Sequence, residues 1–422
     1  MASSVTAIPT KSGSAKPASI DSTGRAAQRD SVPLLDLRRQ YEQLRPEILA
    51  AVERVCASQH YILGVEVEAF EREMSQYCGV RDSVGCSSGT DALWLALVAA
   101  GVQPGDQVLT TPFSFFASAS AIHRAGARAI FVDIDPQTFN LSPTQVERFL
   151  RQAGRDKLRA LLPVHLYGQC ADMDALRRLA DEFHLQLIED AAQAIGASWS
   201  ADKEHGKCRA GSMGGCAAFS FYPTKNLSAY GDAGLVTTND AEMAGHLRRL
   251  RNHGSPRRYL HEEFGWNCRL DAIQAAILRV KLKYLEAWSQ ARRERATRYD
   301  QLFVEAGLAK PVRTTAVVAP DDSPIHLPYT DERAHHVFHQ YVLRAYRRDE
   351  LREFLAARGI GTEIYYPIPL HLQPCFVSLG YREGDLPEAE RAAKEVLALP
   401  MFPELTEAEQ RKVVADIADF YC

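Results

Sequence analysis

The stretch V-G-C-S-S-G-T-D-A-L-W-L-A-L-V-A-A-G, Val84 to Gly101, changes character in its middle. A short apolar run gives way to Ser88, Gly89, Thr90 and Asp91, and then to an unbroken helix-forming pattern that stops at Gly101. A strand-to-helix turn of this kind leaves the helix's first N–H groups without intrahelical acceptors. Their partial positive charge favours an anion. The plainer reading is an ordinary helix capped by Thr90 or Asp91 and closed by Gly101.

Outward from this turn, short β-branched or apolar runs alternate with helical patterns as far as Thr238. The runs are Gln107 to Thr111, Ala129 to Val132, Arg159 to Val164, Leu185 to Ile188, Ala217 to Phe221 and Leu235 to Thr238. This alternation predicts an α/β fold, a mainly parallel sheet with helices on both faces. Upstream, Leu34, Leu37, Tyr41, Leu44, Ile48 and Val52 fall at helical spacing, and Val65 to Tyr77 reads as a second helix. Downstream, Asp271 to Ala306 reads as one long charge-laced helix linking two domains, and Thr314 to Ala334 as a loop. His335 to Ala345 then reads as a strand, Arg348 to Arg358 as a helix, and Glu363 to Pro369 as a short strand or loop. The expected organisation is a disordered tail over 1–31, a large domain over 32–285 and a smaller α+β domain over 286–422.

Composition narrows the function classes. The chain has 422 residues, 46% hydrophobic and 24% charged, with 49 basic and 53 acidic side chains for a net charge of -4. That balance carries no footprint for a polyanion, which argues against general nucleic-acid binding. The 9 cysteines are scattered, without C-x-x-C or Cys/His ligand spacing, and read as reduced thiols with no metal site. The amino-terminal segment lacks the apolar core of a secretory signal, and no run approaches a membrane span. A cytoplasmic protein is expected.

Two further segments carry chemistry. In L-I-E-D-A-A-Q-A-I-G, Asp190 follows an apolar strand and sits where open α/β sheets bind ligands. In F-S-F-Y-P-T-K-N-L-S-A-Y-G-D-A-G, Lys225 lies on a proline-bounded turn, where partial desolvation would leave a reactive neutral amine. Singly, these are a solvated strand end and a surface lysine. Together with the anion cradle they fit one ligand, pyridoxal 5'-phosphate, whose ring nitrogen, aldehyde and phosphate call for those three groups.

From Val32 onward the chain resembles the DegT/StrS family of nucleotide-sugar aminotransferases, which are fold-type I pyridoxal-phosphate enzymes. The resemblance rests on S-S-G-T-D-A-L, P-F-S-F-F-A-S, V-H-L-Y-G-Q-C-A-D-M-D, E-D-A-A-Q-A, F-S-F-Y-P-T-K-N, G-D-A-G, F-G-W-N-C-R-L-D-A-I-Q-A-A-I-L and Y-Y-P-I-P-L-H-L-Q, in that order. It implies a seven-stranded sheet and a homodimer with shared active sites. It also implies roles: Lys225 joins the cofactor's aldehyde and shuttles protons, Asp190 pairs with the ring nitrogen, Gln193 bonds the phenolic oxygen, and Phe115 stacks on the ring. The phosphate would rest on Gly89, Thr90 and Ser220, with Asn267 reaching across from a second subunit. L-glutamate would donate the amine to a nucleotide-linked keto sugar. Similarity in the V-H-L-Y-G-Q run, Gln193 and the L-G-Y-R-E-G-D-L-P tail points to C3 of a dTDP- or UDP-linked sugar.

His165, Tyr366 and His371 are candidates for substrate contact, with packed or surface roles as their alternatives. Arg257 and Arg258 read as solvated loop charges. Ile195 departs from the histidine that many 3-aminating relatives carry. The alternatives are a 4-keto sugar aminotransferase and a non-catalytic, cofactor-binding regulatory relative. A dehydratase relative would have histidine in place of Lys225, and a nicotinamide enzyme would need a G-x-G-x-x-G turn that V-G-C-S-S-G-T does not supply.

Overall fold

The computed structural model describes residues 31–152, 157–200, 206–311 and 322–422. The expected tail lies outside them apart from Ser31, as does part of the loop expected over Thr314 to Ala334. Two helices lead, α1 (Leu37–Ser58) and α2 (Val65–Cys78). Then β1 (Asp82–Cys86), α3 (Gly89–Ala99), β2 (Gln107–Thr110), α4 (Ala117–Arg124), β3 (Arg128–Phe131), α5 (Pro143–Leu150), β4 (Leu158–Leu162), α6 (Met173–Glu182) and β5 (Gln186–Asp190) alternate. A hairpin of β6 (Ser198–Ser200) and β7 (Lys207–Arg209) precedes β8 (Cys216–Ser220), β9 (Gly234–Thr238) and α7 (Ala241–Leu250).

Seven of these strands form one sheet in the order β1-β9-β8-β5-β4-β2-β3. The neighbours pair in parallel except at β9, which runs antiparallel to both β1 and β8. Helical crossovers cover both faces, so the central strands need apolar residues on both, and all five residues of β9 are buried. α3 is enclosed more fully still. It packs on β8, β9, α4 and α7, which explains why Ala92 to Leu97 are apolar without a polar face.

The expected single helix from Asp271 to Ala306 is two, α8 (Ala272–Leu282) and α9 (Leu285–Glu305), separated at Lys283 and Tyr284. Their apolar seams face different partners. Ala272, Ala276, Ile277 and Val280 pack with Leu44 and Ile48 of α1, whereas Ala296, Tyr299, Leu302 and Phe303 enter the core of the carboxyl-terminal part. A straight helix could not serve both.

That part contains a sheet in the order β10 (Ile325–His326), β12 (Tyr341–Ala345), β13 (Val396–Leu399), together with α10 (Arg348–Ala357), α11 (Pro387–Glu395) and α12 (Glu407–Tyr421). The strand expected over His335 to Ala345 is interrupted. Its first residues form β11 (Ala334–His335), which pairs with β6, and residues 336–340 leave the strand pattern before β12 begins. The Glu363 to Pro369 segment is a loop apart from one bridge to Ala398. Beyond it, Leu370, Phe376 and Leu386 join the core under α3 and α4, and Val32 bridges to Ile360, so the carboxyl-terminal part is interleaved with segments from early in the described chain.

Glu189 anchors the end of β5. Its buried carboxylate accepts from His165 Nε2 (2.9 Å) and from the N–H groups of Gly211 (2.8 Å), Met213 (2.7 Å) and Gly214 (2.7 Å). Burial penalises the charge, but His165 and the amides outweigh it and hold the carboxyl below its ordinary range. A depressed carboxyl contributes stability above its unfolded-state pKa, and that contribution is lost as pH falls through the lowered value. Glu189→Gln is expected to destabilise the fold by about 2–4 kcal/mol at pH 7. Thermal melts between pH 7 and 4 should also show a shallower acid limb than the parent protein.

Candidate active site

Lys225 stands just beyond the carboxyl end of β8. Two backbone bonds shape its turn, Lys225 N–H to Tyr222 O and Ala229 N–H to Phe221 O, both 2.8 Å. From behind, the buried amine of Lys281 donates to Ser228 Oγ. The Lys225 side chain is partly exposed, yet desolvation lowers its pKa to about 8 although the charge of Asp190 opposes the shift. Near neutrality it is therefore an amine with a sizeable unprotonated fraction.

Asp190 is the last residue of β5 and is 3% exposed. Its Oδ2 accepts from Ser118 Oγ (2.7 Å) and its Oδ1 from the Ala192 N–H (3.2 Å). Because Ser118 gives its proton to Asp190, Ser114 must donate to Ser118 across their 2.8 Å contact. Burial still raises the Asp190 carboxyl, with the hydroxyl, the amide and Lys225 only partly compensating. Among the described residues no ion pair joins Asp190 to Lys225: their charges act on each other without direct contact, and Asp190 keeps most of its burial penalty. A bound cation beside Asp190 would relieve that penalty.

Gln193 is oriented by its surroundings. The Tyr167 N–H donates to its Oε1 (2.7 Å), which leaves Nε2 as donor to Tyr366 Oη (3.0 Å) with one hydrogen to spare. Burial raises the Tyr366 phenol's pKa and keeps it protonated, so the hydroxyl retains a proton to donate. The ring of Phe115 lies 6.3 Å from that of Tyr366, tilted by 43°, with 57% of its surface open.

The anion cradle forms where α3 begins. Ser88, the cap in place of the expected Thr90 or Asp91, accepts from the Asp91 N–H (3.0 Å). The first-turn N–H groups of Gly89 and Thr90 have no intrahelical acceptor. A Cβ on Gly89 would lie 2.5 Å from Ser220 Cβ and 2.9 Å from its hydroxyl, so only glycine lets this turn approach β8. The set matches pyridoxal phosphate in kind: donors for a phosphate, a carboxylate for a protonated ring nitrogen, and an amine for an aldehyde.

Two residues expected to contact substrate have packed roles. His165 is a core residue, because its Nδ1 accepts from the Ala171 N–H (3.1 Å) and its Nε2 donates to Glu189, leaving nothing for a substrate. His371 is 2% exposed and bonded to Glu390 (3.1 Å), which is likewise a packed role. Asn267, expected to act from a second subunit, lies on an exposed segment bridged to Asn252. Arg258 sits over the exposed Tyr259 ring, as a loop charge does, and Ile195 is buried in the main core. The residue-by-residue reading did not single out Ser118, Asn226, Lys281 or His339. Adjacency to Lys225 was a signal for Asn226 and the P-F-S-F-F-A-S motif one for Ser118, while nothing local marked Lys281 or His339.

The DegT/DnrJ/EryC1/StrS aminotransferase family matches residues 42–418. The chain is 52% identical over 391 residues to a pleiotropic regulatory protein of Geobacillus stearothermophilus, covering 93% of this chain and 99% of that protein. It is 44% identical over 394 residues to a dTDP-3-amino-3,4,6-trideoxy-alpha-D-glucose transaminase of Streptomyces venezuelae, covering 93% and 97%. Among solved structures, S. venezuelae DesV in complex with a ketimine intermediate superposes with a TM-score of 0.84 at 43% identity, covering 92% of this chain and 98% of that one. With a match that spans nearly all the described residues, the chain belongs to the DegT/DnrJ/EryC1/StrS aminotransferase family.

Proposed function

We propose that this protein uses pyridoxal 5'-phosphate to move an amino group from L-glutamate to C3 of a dTDP- or UDP-linked 3-keto sugar. The observation that carries the reading is a pair of groups of opposite sign without an ion pair between them, the buried Asp190 and the partly exposed Lys225, beyond the ends of neighbouring strands. The 44% identical transaminase, whose name specifies a 3-amino sugar, supports the position of amination.

When bound, the cofactor supplies an electron sink conjugated to its aldehyde carbon. The Asp190 carboxylate holds a proton on the ring nitrogen, and Ser118 keeps that carboxylate aimed. Gln193 Nε2 and Tyr366 Oη are the donors that would meet the ring's phenolic oxygen, and Phe115 would cover a ring face. Gly89, Thr90 and Ser220 fix the phosphate, which keeps the reacting carbon in register with Lys225. Lys225 Nζ would carry a proton from the donor's α-carbon to the former aldehyde carbon and, in the second half-reaction, from that carbon to C3 of the sugar. Asn267 completes the phosphate site from a second subunit in a homodimer. The enzyme works in the cytoplasm; no helix among the described residues is long and apolar enough to cross a membrane.

The regulatory name of the 52% identical relative favours a second reading, a cofactor-binding protein without turnover. Absorbance separates the two. The purified protein should show a visible cofactor band that glutamate bleaches, and Lys225→Ala should abolish the band and lower kcat by about 10³-fold or more. A band indifferent to glutamate and to other amino acids would support the regulatory reading. Incubation with glutamate and a panel of 3-keto and 4-keto dTDP- and UDP-sugars should give product whose new amine maps to C3 by NMR. Amination confined to C4 would overturn the assigned position.

A further inference from the structure

The turn that carries Lys225 is held from one side by a segment far along the chain. Between β11 and β12, residues 336–340 lie as a strap against the β4–α6 connection. The Val337 N–H donates to Gly168 O (3.0 Å) and the Gln340 N–H to Tyr167 O (3.3 Å). Only glycine allows this contact, because a Cβ on Gly168, whose φ is +102°, would lie 2.9 Å from the His339 nitrogen. Arg292 Nη1 ties the strap down by donating to the carbonyls of Phe338 (3.2 Å), His339 (3.2 Å) and Met401 (2.9 Å).

Two groups of the strap reach the residue after Lys225. Asn226 Nδ2 donates to Val337 O (3.3 Å), and Asn226 Oδ1 lies 3.2 Å from His339 Nδ1. These contacts fix the imidazole's tautomer. A carbonyl can only accept, so the amide's nitrogen faces Val337 and its oxygen faces His339, and Nδ1 must carry the hydrogen. Nε2 has no protein partner among the described residues. The charged groups near His339 are Lys225 and Arg292, both cationic, and His339 is buried. Burial first, and then those two charges, hold its pKa well below the ordinary histidine value.

We infer that His339 is a positioning residue for Lys225: its imidazole, donating from Nδ1, clamps the Asn226 amide and so sets the reach and water exposure of the adjacent lysine. Because it stays neutral, it neither competes with Lys225 for the proton nor adds a third cation to the site. The inference rests on the reading of Lys225 as the amine that takes the cofactor.

The test uses the holoenzyme. In His339→Gln, which cannot place a donor where Nδ1 was, kcat should fall about tenfold or more with KM for glutamate changed less than about threefold. The pH midpoint of the visible cofactor band should move by about half a unit or more, as the lysine gains water. His339→Asn, whose amide nitrogen can replace Nδ1, should restore both to near the parent values. An unchanged midpoint and kcat in His339→Gln, or an equal loss in His339→Asn, would overturn the inference. Should the variants fold poorly, selective ¹⁵N-histidine NMR of the parent protein decides: Nδ1–H with bare Nε2 from pH 8 to 6 is expected, and an imidazolium or an Nε2–H tautomer overturns it. A parent protein whose band survives Lys225→Ala would instead sink the reading of Lys225, whatever the His339 variants do.

Discussion

Glu189 and Asp190, successive residues at the end of β5, direct their carboxyl groups to opposite faces of the sheet and into opposite electrostatic circumstances. Glu189 is fully buried and fully bonded, with His165 and three amides around it, and its carboxyl is pulled below the ordinary range. Asp190 is equally buried but receives only a hydroxyl and one amide, and its carboxyl is pushed up. The first carboxylate fixes the strand end in place. The second is thereby held where it cannot retreat to water, short of the cation that would satisfy it. An ion pair between the two would have left less for a ligand to satisfy. Instead the two remain unjoined, and a ligand that brings a cation to one and an aldehyde to the other meets two unmet demands at once.

The rest of the molecule serves this arrangement. The parallel sheet brings the carboxyl ends of β5 and β8 side by side, so residues distant in sequence share one edge. The close approach of Gly89 to Ser220 sets the anion donors beside the same edge. The interleaved carboxyl-terminal part closes the remaining sides. Tyr366 bonds Gln193, and the 336–340 strap joins the β4–α6 connection to the Lys225 turn. Rigidity here has a direct chemical use, because a lysine that moves protons in both half-reactions must keep the same distance from the reacting carbon throughout.

Much of this was legible in the sequence because the large sheet writes itself locally. Continuous apolar runs mark buried parallel strands, and the six runs identified between Gln107 and Thr238 each became a strand of that sheet. Lys225 and Asp190 stood out because the turn and the strand end are local features too. What stayed hidden depends on contacts between segments distant in sequence. Helical periodicity continues across Lys283 and Tyr284, so only the change of packing partner reveals two helices. His335 to Ala345 has strand composition throughout, yet tertiary bonds to Tyr167 and Gly168 pull its middle out of the sheet. His165 looked like a ligand residue because histidine is versatile, and the Glu189 carboxylate that engages it was visible only as the neighbour of Asp190.

The account stands or falls on the two unjoined charges, and a crystal structure of the protein with pyridoxal 5'-phosphate tests it most directly. Continuous density is expected from Lys225 Nζ to the cofactor's aldehyde carbon, with an Asp190 oxygen within hydrogen-bond distance of the ring nitrogen and the phosphate on the Gly89 and Thr90 amides and Ser220. A cofactor bound away from Lys225, or an Asp190 paired with Lys225 and turned from the ring, would contradict it.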